Sequence, residues 1–176
     1  MSDADRVCCL MFDEMSIRDN LHFNQKLDCI EGFEDCGKHG RTHHRANHAL
    51  VFMLRGIRKK WKKLVAFYLI HGSTNGLLLA TFLEDVLDAC HDAGLEVVAT
   101  VCDMAANNVS ALKKLGVTEK RPFFSRNNQE IAAIFDPPHL LNVPATFSLS
   151  IMLQMWSVIS LLMGSDLLVL LSGTTY

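Results

Sequence analysis

Through its first 135 residues the chain is a series of short apolar runs separated by polar breaks. Residues 7–12 form a continuous apolar run that stops at Asp13-Glu14. A run this short and β-compatible predicts a strand covered on both faces. Residues 28–33 alternate weakly and predict a short strand, after which residues 35–45 are polar. Two β-rich runs, 48–54 and 64–70, flank the basic stretch 55–63 and read as an antiparallel hairpin. From Leu78 the period changes. Leu78, Leu79, Phe82, Leu83, Val86, Leu87 and Cys90 recur at intervals of three and four, so an amphipathic helix follows the Gly72–Gly76 break and closes near Gly94. Residues 95–102 predict a second buried strand that ends at Asp103, and residues 107–115 a second helix stopped by Gly116. Residues 131–135 form a last strand, which Pro137-Pro138 cannot continue. The order strand, hairpin, helix, strand, helix, strand predicts an α/β architecture: a mixed sheet with right-handed crossovers, flanked by helices.

Composition narrows the function classes. The chain has 176 residues, 49% hydrophobic and 20% charged, which suits one domain with an ordinary core. Seventeen Lys and Arg against nineteen Asp and Glu give a net charge of −2, which excludes a whole-surface electrostatic grip on nucleic acid but leaves room for a local basic patch. Six irregularly spaced cysteines fit reduced thiols in a cytosolic or nuclear protein, and the first residues show no signal-peptide pattern.

Asp13 and Asp103 are the sharpest candidates for chemistry. Each directly follows an apolar strand, where ligands gather in α/β sheets. If the two strands are parallel neighbours, both carboxylates meet at one edge and suit a hard cation such as Mg²⁺. The structural alternative is that each caps the next turn. Asn107 and Asn108 either cap the second helix or orient such a ligand. Arg55, Arg58, Lys59, Lys60, Lys62 and Lys63 surround Trp61 and are either a solvated hairpin tip or a contact for a nucleic-acid backbone. Cys36, His39 and His43 have ligand-like spacing, but no second ligand pair accompanies them, so the stretch reads as a polar His-rich loop. Cys102 has no evident base partner, and no thiol nucleophile is expected.

Four segments then occur in order: Cys8-Cys-Leu-Met-Phe-Asp-Glu-Met-Ser-Ile17, Ala46-Asn-His-Ala-Leu-Val-Phe-Met-Leu-Arg-Gly56, Val101-Cys-Asp-Met-Ala-Ala-Asn-Asn108 and Phe135-Asp-Pro-Pro-His-Leu-Leu141. Together they resemble the catalytic region of P-element-type transposases, which include the THAP-domain transposases of animals. The resemblance runs from residue 5 to about residue 142. It implies an incomplete RNase H-like fold, a nuclear location, DNA as partner and Mg²⁺ or Mn²⁺ as cofactor. It also implies that Asp13 and Asp103 are the first two acids of an Asp-Asp-Glu/Asp metal site. In the family the third acid lies beyond a large insertion, which binds GTP in the P-element enzyme, and this sequence contains neither. Asp136 and Glu14 are the only acids nearby that invite comparison with it, and in the family Asp136 belongs to a separate motif. Full-length members usually carry a THAP zinc finger, and often a helical dimerisation segment that makes homo-oligomers conceivable. The chain reads as a fragment of the nuclease core, with two of three acids and no activity expected from it alone; the alternatives are a domesticated module that binds DNA or a protein partner, and a membrane-tethered fragment.

Residues 143–176 form an apolar tail outside the resemblance. Residues 151–171 have the length of a bilayer span, but Gln154, Ser157, Ser160, Gly164, Ser165 and Asp166 interrupt them and no basic flank follows. A membrane partner is therefore not the expectation. The tail reads as non-homologous read-through sequence which, if helical, packs on the fragment or drives aggregation.

Overall fold

The computed structural model describes residues 6–26 and 28–135, so Asp136, the Pro-Pro-His motif and the apolar tail lie outside the described residues. Ten strands and two α-helices follow in the order β1 (Val7–Ser16), β2 (His22–Asn24), β3 (Cys29–Glu31), β4 (Phe33–Asp35), β5 (Arg41–Arg45), β6 (His48–Gly56), β7 (Lys62–Ile70), α1 (Gly76–Asp92), β8 (Glu96–Cys102), α2 (Ala106–Lys114), β9 (Phe123–Arg126) and β10 (Gln129–Phe135). Eight strands make one sheet in the order β5-β4-β7-β6-β1-β8-β10-β9, and β2 pairs with β3 separately. β1, β8 and β10 run parallel at its centre, while β6 lies antiparallel on the other side of β1. This is the mixed α/β sheet that the run order predicts.

The core lies on one face. Cys8, Leu10 and Phe12 of β1 join Leu50, Phe52 and Leu54 of β6 beneath Leu79, Phe82, Leu83, Val86 and Leu87 of α1. Each such side chain contributes roughly 1.5–3 kcal/mol on burial. The period of α1 is the one seen in the sequence, and the Asn75 side chain starts the helix by accepting from the Leu77 and Leu78 N–H groups.

Four expectations need correction. β1 is not covered on both faces: Val7, Cys9 and Met11 stay partly exposed, because α1 and α2 pack only on the opposite side. It also continues past Asp13-Glu14 to Ser16, since β6 supplies ladder partners along its whole length. The expected strand at 28–33 is two strands, β3 and β4, belonging to different sheets. The polar stretch 35–45 is not a loop but holds the outermost strand β5, whose residues are all exposed. An edge strand with no layer above it needs no apolar side chains.

A carboxylate pair at the end of the central strands

Asp13 and Asp103 come together through strand register. β1 and β8 pair in parallel with Met11 opposite Val101. Continued two residues further, that register sets Asp13 level with Asp103, on strands spaced about 4.8 Å apart. Asp13 is still held in the β6 ladder opposite Val51, whereas β8 ends at Cys102. The pair therefore sits where one of two neighbouring strands stops. The Cys102 thiol registers both charges: burial pushes its pKa up, and the fields of Asp103 and Asp13 push it the same way. That keeps the thiol protonated and unfit as a nucleophile.

The two carboxylates are anchored differently. Among the described residues, Asp13 Oδ1 accepts from the adjacent Glu14 N–H alone, at 2.8 Å. Asp103 Oδ1 accepts from the Ala105 N–H at 3.0 Å and from Nδ2 of Asn108, a residue only 5% exposed. No donor among the described residues reaches Oδ2 of either group. Ala105, not an asparagine, occupies the N-cap of α2, without a side-chain hydrogen bond. Of the two roles open to Asn108, the structure contains the carboxylate contact. Asn107 Oδ1 instead accepts from the Asn108 N–H.

Glu14 does not join the pair. Strand alternation turns it to the opposite face, where its Oε2 accepts from the Thr74 N–H at 3.1 Å and tethers the loop before α1. Among the described residues no third His, Cys, Asp or Glu completes a metal-binding group. The residues of the Cys36-His39-His43 stretch have separate partners. Cys36 is buried in the core, Nε2 of His39 is paired with Asp85, and the His43 ring stands edge-on to Phe33.

The basic cluster lies elsewhere. Arg55 belongs to β6, Lys62 and Lys63 to β7, and Arg58, Lys59 and Lys60 to the turn, all of them exposed. Gly56 pairs with Cys8, and Val51 pairs with Asp13. The tip is thus at the far end of β1, five residues or about 17 Å from the carboxylates. Trp61 is half-buried against the core, so close over Gly56 that a β-carbon there would collide with the indole. The carboxylate end has its own basic groups, Arg41 and Arg45 on β5, which face Asp35 at 3.9 Å and Asp19 at 3.7 Å. Sequence reading passed over them because only the pairing of β4 with β7 carries β5 to that end. Asn108 was legible only as one of two roles, since spacing along α2 does not reveal which way an amide turns.

Comparison with known proteins agrees with this architecture. The family described as TNP-like, RNase H N-terminal domain matches residues 1–116. The "Transposable element P transposase" of Drosophila melanogaster is 27% identical over 146 residues, which is 81% of this chain and 17% of that protein. The solved "Drosophila P element transposase strand transfer complex" superposes with a TM-score of 0.62 at 26% identity, over 80% of this chain and 29% of that one. The fold is therefore RNase H-like, and the chain spans only a small part of the relatives it matches.

Proposed function

The chain belongs to the TNP-like RNase H N-terminal domain family, and from that membership we propose that it forms the N-terminal part of the catalytic core of a DNA transposase, with Asp13 and Asp103 as two ligands of a divalent cation. The observation that carries this reading is the parallel register of β1 and β8, which brings two carboxylates from distant sequence positions to one strand end. The donor set suits Mg²⁺ or Mn²⁺: hard cations take carboxylate oxygens, and each Asp keeps Oδ2 clear of donors among the described residues. Such a cation, when bound, polarises a phosphoryl oxygen and activates a water or hydroxyl for attack. The residues of this chain contribute by holding the two carboxylates at fixed spacing on rigid strands. Arg55, Arg58, Lys59, Lys60, Lys62 and Lys63 hold the DNA backbone at a distance from the reacting phosphate. The likeness to a strand transfer complex supports DNA as the substrate.

Two carboxylates alone bind a cation weakly and do not position two ions. The 176-residue polypeptide by itself is expected to bind Mn²⁺ without cutting DNA. Electron paramagnetic resonance of free Mn²⁺ tests the binding. Asp13→Asn and Asp103→Asn should each weaken it tenfold or more, and Mg²⁺ should compete. Asp13→Asn should also raise the metal-free melting temperature slightly, because it removes one of two neighbouring like charges. Unchanged Mn²⁺ affinity in both variants would refute the site. DNA cleavage that disappears in Asp13→Ala and Asp103→Ala would refute the expected inactivity.

A further inference from the structure

We propose that Asn108 is a positioning residue for Asp103, and that the contact between the start of α1 and the first turn of α2 sets its position. The proposal rests on the reading of Asp103 as a cation ligand. Asn108 is a buried amide on α2, yet its Nδ2 donates not to the helix but to Asp103 Oδ1. With the Ala105 N–H on the same oxygen, Oδ1 has two donors, and Oδ2 is left to face a cation. A carboxylate held in this way presents one oxygen in one direction, which is how groups behind a metal ligand raise affinity.

The carrier helix is itself held. A β-carbon on Gly76, the first residue of α1, would lie 2.5 Å from Ser110 Oγ, 2.6 Å from Ser110 Cβ and 3.1 Å from the Asn107 carbonyl oxygen. The backbones therefore approach closely because residue 76 has no side chain. The Asn107 and Ser110 atoms flank Asn108 in the same helical turn. Any residue larger than glycine at 76 must displace that turn, and with it the amide that holds Asp103.

The test uses the full chain, with Mn²⁺ alone as probe. Asn108→Leu keeps the shape of the side chain and removes the donor, Asn108→Ala removes both, and Gly76→Ala leaves the amide in place while pushing α2. Mn²⁺ affinity should fall tenfold or more in Asn108→Leu, with a melting temperature in EDTA within a few degrees of the parent. Paramagnetic broadening in NMR spectra at the neighbouring amides of Asp13 and Asp103 should fade together at a Mn²⁺ concentration that broadens them in the parent. Gly76→Ala should weaken Mn²⁺ binding in the same direction, and it carries the test if both Asn108 variants fail to fold. Parent-like affinity and broadening in Asn108→Leu, with the parent binding Mn²⁺ at both carboxylates, would overturn the role of Asn108 alone. A parent chain that binds no Mn²⁺ would overturn the cation reading and this proposal together.

Discussion

Asp13 and Glu14 are adjacent acids with opposite duties, because consecutive side chains of a strand leave by opposite faces. One stands at an exposed edge, while the other ties a loop to the helix layer. A second acidic pair has a purely structural duty. Arg126 of β9 donates from Nε and Nη2 to the two carboxylate oxygens of Asp88 on α1, at 2.8 and 2.6 Å, and from Nη1 to Glu84 at 2.8 Å. The Arg126 hydrogen bonds, aided by Asn127, pull the Asp88 pKa down to about 2 against a smaller opposing effect of burial. A carboxyl depressed on folding stabilises above its unfolded value near 3.9, and that stability is lost as pH falls toward its folded value. Arg126→Met should cost about 1 kcal/mol at pH 7, a modest figure because Asp88 is 41% exposed to screening solvent. In urea denaturation the gap between parent and variant should close between about pH 4 and pH 2. A gap independent of pH would mean that Arg126 acts through packing instead.

At the scale of elements, periodic segments were legible and short edge strands were not. α1 was readable because seven apolar positions repeat over its length, and a helix face that wide has no other stable use. β9 escaped notice, although Asn127-Asn128 was its signal. Both residues have left-handed backbone, φ +51° and +60°, and join Arg126 to Gln129 in a two-residue hairpin. Asparagine tolerates that conformation where other side chains resist it. Asn128→Gly should leave the chain as stable or raise stability by up to about 1 kcal/mol, and Asn128→Ala should lower it by a similar amount. Equal stabilities for both variants would show that the turn does not constrain this hairpin. β5 was unreadable for a different reason: an exposed strand at a sheet margin carries no burial pattern, and its residues resemble a loop.

Across the whole molecule, the antiparallel pairing of β6 with β1 sends the basic tip and the carboxylates to opposite ends of the sheet. The two should therefore be separable. Replacing Arg58, Lys59, Lys60, Lys62 and Lys63 by serine should weaken DNA binding and flatten its salt dependence. Mn²⁺ affinity should stay within about twofold, because screening is strong beyond a Debye length of roughly 10 Å. Fluorescence anisotropy with duplex DNA at several salt concentrations measures the first effect. A parallel loss of Mn²⁺ affinity would mean that the tip and the pair are not independent. Unaltered DNA binding would return the tip to a solvated turn.

Local chemistry written in the sequence determined that apolar runs end at Asp13 and Asp103, that one amphipathic helix lies between them and that basic residues crowd a hairpin. Those features depend on spacing, period and turn residues, all of which act over a few positions. Tertiary structure alone decided that the two acids share an edge, that Glu14 faces away, that Asn108 holds Asp103 and that the tip is remote. The shared edge and the remote tip depend on register between strands far apart in the chain, where a shift of one residue reverses every side chain, while the turns of Glu14 and Asn108 depend on which face the helices cover.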